Sequence, residues 1–147
     1  MFVESATTSI EKLLALEWLD CNARGSYSSN TLLDCSTRRY HGLLVTDAGS
    51  LPNKFVFASK LEARLVQPGH CIDLFTNRYH GPLYYPEGYI HFENFQYGTF
   101  ARVNYRVGST RLERSLVLLH DADTVLIRYK LLACDSVCLG LRPLLAY

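Results

Sequence analysis

The sequence predicts an all-β protein, an antiparallel β-sandwich with at most a short helix near its N-terminus. Apolar and polar residues alternate with a period of two over most of the chain beyond Lys54. Clusters of Gly, Pro, Asp and Ser punctuate those runs at short intervals, as hairpin turns require. No stretch sustains a helical period long enough to build a layer of helices.

Ser9-Ile10-Glu11-Lys12-Leu13-Leu14 opens with a residue suited to N-capping, so one or two helical turns are expected there. Glu17-Trp18-Leu19 then looks like a short strand. Residues 21–31, Cys-Asn-Ala-Arg-Gly-Ser-Tyr-Ser-Ser-Asn-Thr, are small and polar and are expected to form a loop. Phe55, Phe57 and Ser59 alternate with Val56, Ala58 and Lys60, and Leu61, Ala63 and Leu65 alternate with Glu62 and Arg64. Gln67-Pro68-Gly69-His70 has Pro and Gly in the order of a type II turn, so 61–76 is expected to be a hairpin.

Tyr84, Tyr85 and Tyr89 are interrupted by Pro86 and Gly88, which places them on a loop. Ala101, Val103, Tyr105 and Val107 alternate with Arg102, Asn104 and Arg106, the pattern of a half-buried strand. Gly108-Ser109 turns the chain into Arg111–Leu119, and Asp121-Ala122-Asp123 turns it again. In the next strand Val125, Ile127, Tyr129 and Leu131 share one face, opposite Arg128 and Lys130. Val137, Leu139 and Leu141 make a last strand, and the chain closes on an apolar run, Leu139 to Tyr147.

The 147 residues suit a single domain over 1–147. At this length roughly two-thirds of the unfolded surface can be buried. Hydrophobic residues are 48% and charged residues 20%, a globular balance. A net charge of +1 gives no reason to expect nucleic acid or an anionic membrane as partner. No apolar run approaches the ~20 residues of a membrane helix. The five cysteines, Cys21, Cys35, Cys71, Cys134 and Cys138, are odd in number and follow no leader-like segment, so reduced thiols in a cytoplasmic protein are expected. No CxxC pair suggests zinc, and His70, His80, His91 and His120 lack metal-ligand spacing, so no metal is expected.

The densest group of chemically able side chains is Thr37-Arg38-Arg39-Tyr40-His41-Gly42. In an extended segment Arg38 and Tyr40 would face one way, Arg39 and His41 the other. Planar guanidinium forks suit carboxylates or vicinal sugar hydroxyls. Each residue is as readily explained by an internal ion pair or by solvation. The second dense group is the aromatic run Tyr79–Tyr97, where Tyr84 and Tyr85 could stack on pyranose rings or fold back over the core. Glycoside hydrolysis needs two placed carboxylates. Glu62, Glu87, Glu93 and Asp73 carry no signature that pairs them, and no elbow motif surrounds a Ser or Cys, so no catalytic residue is assigned.

Glu17-Trp18-Leu19, Asn22, Gly25, Tyr27, Thr31 and above all Thr37-Arg38-Arg39-Tyr40-His41-Gly42-Leu43-Leu44-Val45 resemble the opening of bacterial and archaeal glycogen-debranching enzymes of the amylo-α-1,6-glucosidase type. Lys60-Leu61-Glu62, Pro86-Glu87-Gly88, Phe92-Glu93-Asn94-Phe95, Leu112-Glu113-Arg114, Thr124–Tyr129 and Leu141-Arg142-Pro143-Leu144 fit the same pattern in order, so the resemblance spans roughly 17–147. A glycine-rich loop usual in that family here reads Asn22-Ala23-Arg24-Gly25-Ser26-Tyr27, and Asn30 stands where Gly is common. Such changes stiffen the loop and add charge to it.

The resemblance implies a β-supersandwich placed before a helical barrel that holds the acid and base for α-1,6-glucosidic hydrolysis, with no organic cofactor. The barrel is absent from this sequence. The chain is therefore expected to brace that missing domain and to supply loop residues that bind glycogen or dextrin, without activity of its own. Arg38, Arg39, Tyr40, His41, Tyr84 and Tyr85 are the expected sugar contacts, supported by Glu17, Trp18, Asn22 and Tyr27. A free-standing α-glucan-binding module is the alternative. Separated from its barrel, the domain is expected to expose apolar surface and self-associate.

Overall fold

A computed structural model describes residues 1–5, 8–47, 54–67, 69–133 and 137–145. Pro68 of the predicted turn, Cys134 and the final Ala146-Tyr147 lie outside the described residues. The chain is all-β, with thirteen strands and one short α-helix among those residues. The strands are β1 (Phe2–Glu4), β2 (Glu17–Cys21), β3 (Tyr27–Thr31), β4 (Gly42–Asp47), β5 (Lys54–Gln67), β6 (His70–Asp73), β7 (Asn77–Arg78), β8 (Tyr84–Tyr85), β9 (Phe92–Tyr97), β10 (Ala101–Val107), β11 (Thr110–Leu118), β12 (Val125–Ala133) and β13 (Cys138–Leu145). The helix α1 spans Ile10–Ala15, and Ser9 caps it by accepting the Lys12 N–H.

All ladders are antiparallel. One sheet runs β1-β9-β10-β11-β12; the other runs β13-β5-β4-β3-β2, with β6 added along β5, and β7 pairs with β8 apart from both. The 14-residue β5 forms the spine of the second sheet. It pairs with β4 through residues 54–58, with β6 through 64–67, and with β13 along 58–66. Gly69 has φ +85°, the left-handed value that a type II turn demands at its third position.

The two sheets bury a shared apolar layer. Phe92, Phe95, Val103, Tyr105, Leu112 and Leu116 from one meet Trp18, Leu43, Ala63 and Leu65 from the other, with Leu13, Leu14, Leu32 and Leu33 closing one side. The alternation predicted for residues 101–107 is found, as is the inward face of Val125, Ile127 and Tyr129; Leu131, at the end of that row, is 46% exposed.

Three expectations are corrected. Tyr27–Thr31, read as loop, is the strand β3, lying between β2 and β4. Its Ser28, Asn30 and Thr31 are fully buried, so it lacks the apolar alternation that marks a strand. The ladders to β2 and β4 hold it in place, and two side chains add to them: Ser29 Oγ donates to Trp18 O (3.0 Å), and Thr31 Oγ1 donates to Cys35 O (2.9 Å). Tyr84 and Tyr85, also read as loop, form β8 against β7; Pro86 falls just after the pairing ends and removes no ladder donor. Thr37–His41, considered as extended, is a turn, closed by the His41 N–H donating to Arg38 O at 3.2 Å.

Buried polar pairs lock the sheets together. The guanidinium of Arg114 on β11 is ion-paired with the Asp34 carboxylate in the connection after β3, and both side chains are more than nine-tenths buried. Asp34 has φ +53°, a left-handed conformation that Asp tolerates better than most residues. At one end of the sandwich, Asn22 Oδ1 accepts the N–H groups of Arg24 and Ser26 (3.0 and 2.9 Å), while its Nδ2 donates to Ala122 O (2.9 Å). Ser26 Oγ donates to Asp123 Oδ1 at 2.6 Å, which with Arg24 holds that carboxyl below its usual range. The β2–β3 turn is thereby tied to the β11–β12 turn.

Replacing Arg114 by Met leaves Asp34 charged and buried without a partner, so a loss of about 3–5 kcal/mol is expected. Urea denaturation reads it as a lower midpoint at unchanged slope. Asp34→Asn in the same chain should recover part of the loss. An unchanged midpoint in the single variant would show that the pair carries no net constraint.

Candidate functional site

The turn that begins with Thr37 sorts its side chains sharply. Arg38 projects outward, with 70% of its side chain exposed. Arg39 lies over the Tyr40 ring, 5.3 Å from its centroid, on the outer side of the turn. His41 turns inward, and only 3% of its side chain is exposed.

The Thr37 N–H donates to His41 Nδ1 at 3.2 Å, which leaves the imidazole proton on Nε2. That nitrogen lies 3.5 Å from Glu17 Oε1 at the start of β2. Burial lowers the pKa of His41, with Glu17 opposing the shift, so the ring is neutral at physiological pH. The same Glu17 oxygen accepts from Arg38 Nε at 2.6 Å. Glu17 is thus held between a buried imidazole and an exposed guanidinium. Such an exposed pair adds little stability; its effect is to fix where the Arg38 fork points.

Arg38 and Glu17 open onto a cleft of about 630 Å³. Glu11, Leu14 and Ala15 of α1 form one wall, Thr37 and Arg38 another, and Arg78 of β7 with Tyr84 of β8 a third. Segments distant in sequence therefore meet at one place. The β7–β8 wall is anchored from below. Lys60 Nζ donates to Thr76 O (2.5 Å) and Asn77 Oδ1 (2.7 Å), and Asn77 Nδ2 donates to Glu62 Oε1 (3.1 Å). Glu62 is paired in turn with Arg142 of β13. Burial pushes the Lys60 ammonium down to about 8, against the pull of Cys35 and Glu62. Gly88 fits this packing because a Cβ there would collide with the Phe75 backbone.

The cleft combines two guanidiniums, two carboxylates and a phenol ring. Matched charges with spare donors and acceptors suit a neutral polyhydroxyl ligand better than an ion, and the Tyr84 ring supplies an apolar surface. Of the expected contacts, the structure brings Arg38 and Tyr84 together, with His41 behind Glu17. Arg39, Tyr40 and Tyr85 do not line the cleft, and Tyr85 is 66% exposed.

Among the expected supporting residues, Glu17 lines the cleft itself. Trp18 sits in the sheet-to-sheet core. Asn22 organises the turn at the far end of β2, and the Tyr27 hydroxyl reaches Tyr40 O at 3.5 Å. Glu11, Thr37 and Arg78 are lining residues that sequence reasoning did not single out. Thr37 belongs to the TRRYHG run, whereas nothing local marks Glu11 or Arg78. No group of three or more His, Cys, Asp or Glu side chains among the described residues is placed to hold a metal ion. No helix among them is long and apolar enough to cross a membrane.

The folded state holds His41 neutral, and its pKa is lower than in the unfolded chain. As pH falls below the unfolded value of about 6.5, the unfolded chain takes up the proton first, and the stability tied to neutral His41 is lost down to the folded pKa. Above that window the residue makes no pH-dependent contribution. Thermal melting from pH 8 to pH 4.5 should show a steeper acid-side decline in the native chain than in His41→Gln. Parallel curves would mean that His41 titrates in the fold as it does in water.

Over residues 16–147 the sequence matches the family described as Glycogen debranching enzyme N terminal. No curated protein and no solved structure matches the chain. The matched span takes in every strand except β1, together with the Glu17, Arg38 and Tyr84 walls of the cleft. The chain belongs to the family of glycogen-debranching-enzyme N-terminal domains.

Proposed function

We propose that the chain is the accessory domain of an α-1,6-glucosidase acting on glycogen or a related dextrin in the cytoplasm. Its role is to brace the helical catalytic barrel and to present the Arg38–Tyr84 cleft to the glucan. The observation that carries the sugar-facing role is the convergence of Arg38, Arg78 and Tyr84 with Glu11 and Glu17 in one open cleft. Arg39, Tyr40 and Tyr85 belong to the neighbouring exposed surface, where a branched chain leaving the cleft would lie. The bracing role draws on exposed leucines at the sheet edges. Leu126 and Leu131 on β12, and Leu141, Leu144 and Leu145 on β13, are all exposed, and β12 and β13 each end a sheet. A domain that works beside a barrel would cover such residues.

Calorimetric titration of the 147-residue chain with a branched maltooligosaccharide tests the first role. Saturable binding is expected, weakened roughly tenfold (about 1.4 kcal/mol) by Arg38→Ala or Tyr84→Ala. Absence of binding at millimolar sugar would remove the sugar-facing role and leave the bracing one. Binding that survives both changes would place the ligand elsewhere. For the exposed leucines, light scattering should give a mass that rises with concentration, and Leu141→Lys with Leu145→Lys should return it to that of a monomer. A concentration-independent monomer mass in the native chain would count against an uncovered docking face.

A further inference from the structure

The β1-β9-β10-β11-β12 sheet has its own concavity, which shares no lining residue with the cleft. Phe92 and Phe95 are both buried in the core although they stand three residues apart, which a regular strand forbids. A β-bulge resolves the conflict. Phe92 pairs with Tyr105 and Asn94 with Asn104, leaving Glu93 as the extra residue. The β11–β12 ladder repeats the device. Leu112 pairs with Leu131 and Arg111 with Ala133, leaving Leu132 as the extra residue. Because Tyr105 pairs with Leu112 and Arg106 with Arg111, the two bulges sit at the same level of the sheet. Bulges re-aim side chains and concentrate near functional sites.

Both extra residues line one open trough of about 720 Å³. Glu93 Oε1 accepts from Arg106 Nη2 (2.7 Å) and from Arg111 Nη2 (2.8 Å). Both arginine side chains stay about half exposed, 52% and 46%, and keep further N–H groups free of Glu93. Asn104 Nδ2 donates to Asn94 Oδ1 at 2.8 Å, while the buried Asn104 Oδ1 finds no partner among the described residues. Glu113 supplies a carboxylate opposite Asn104. Glu93 already offsets much of the charge of the two guanidiniums, and Glu113 adds a second carboxylate, so the trough has little net attraction for an anion. A neutral chain of vicinal hydroxyls fits this mixture of amides, guanidiniums and carboxylates. Ile90, 62% exposed, and Leu132, 47% exposed, add apolar surface of the kind the C–H faces of pyranose rings need.

We propose that this trough is a second saccharide site, one that takes an unbranched run of α-glucan across β9, β10 and β11. The inference rests on the glucan-facing reading given above and extends it to a second surface. Two separately lined sites on one domain would let it hold a chain of a branched particle while the cleft meets a branch.

The test is a nuclear magnetic resonance titration of the 147-residue chain with maltoheptaose, followed at the side-chain amides of Asn94 and Asn104. It is run on the native chain and on a chain carrying Arg38→Ala and Tyr84→Ala. Saturable shifts of both amides are expected in both chains, with at least tenfold weaker binding after Asn104→Ala or Arg111→Ala at unchanged melting temperature. Trough amides that stay still while signals around Arg38 and Tyr84 move would overturn the second site and leave the cleft intact. Movement in the trough alone would support it and discard the cleft. Stillness at both places would overturn both. The native-chain shifts need no substitution, so a variant that fails to fold does not blunt the result.

Discussion

The ion pair between Asp34 and Arg114 is the constraint on which the rest of the arrangement depends. Two charges cannot leave water cheaply, and a single partner left alone in the core would cost several kcal/mol. The pair therefore demands that β11 of one sheet and the connection after β3 of the other meet in one register. Asp34 stands three residues before Thr37, so fixing it also fixes where the Arg38 turn begins. The Asn22–Ser26–Asp123 group secures the opposite end of β2 and β3 in the same manner. Between those two polar anchors, apolar burial sets the separation of the sheets without having to choose their register.

The fold was legible in the sequence wherever burial wrote a period of two. The alternation of residues 101–107 and of Val125, Ile127 and Tyr129 states which face is inward, and the structure agrees. It was not legible in β3, where the small polar run Tyr27-Ser28-Ser29-Asn30-Thr31 pairs between β2 and β4 and looks like a turn to any rule based on hydropathy. It was not legible in β9 either. The run Phe92-Glu93-Asn94-Phe95 has a spacing that makes sense only once a bulge is seen. Side-chain identity signals a strand only when the strand follows regular pleating and packs through apolar contacts.

The site shows the same division. The TRRYHG run announced itself by density of chemistry, and Arg38 does open onto the cleft. Which residue of the run would point outward was not readable, because it depends on a turn closed by a backbone hydrogen bond and on an imidazole drawn under Glu17. Arg78 and Glu11 gave no signal at all, since their place in the wall is decided by how α1 and the β7–β8 hairpin dock on the sandwich. Matched charge recurs at both concave surfaces. Arg38 is satisfied by Glu17, and Arg106 and Arg111 by Glu93. Each surface thus keeps a rigid set of donors and acceptors with little net field.

The long strand β5 has a consequence for how the protein comes into being during synthesis. Its first half can pair with β4 and its last residues with β6 soon after they leave the ribosome. The edge along residues 58–66 has to wait for Cys138–Leu145, some eighty positions later. Until then Glu62, which helps hold Asn77 and the hairpin wall of the cleft, lacks the guanidinium of Arg142. Contacts between residues so far apart close slowly, because the intervening chain must give up its freedom first. The nascent domain would therefore carry an open strand edge for about half of its translation, and the hairpin wall of the cleft would be among the last features to mature.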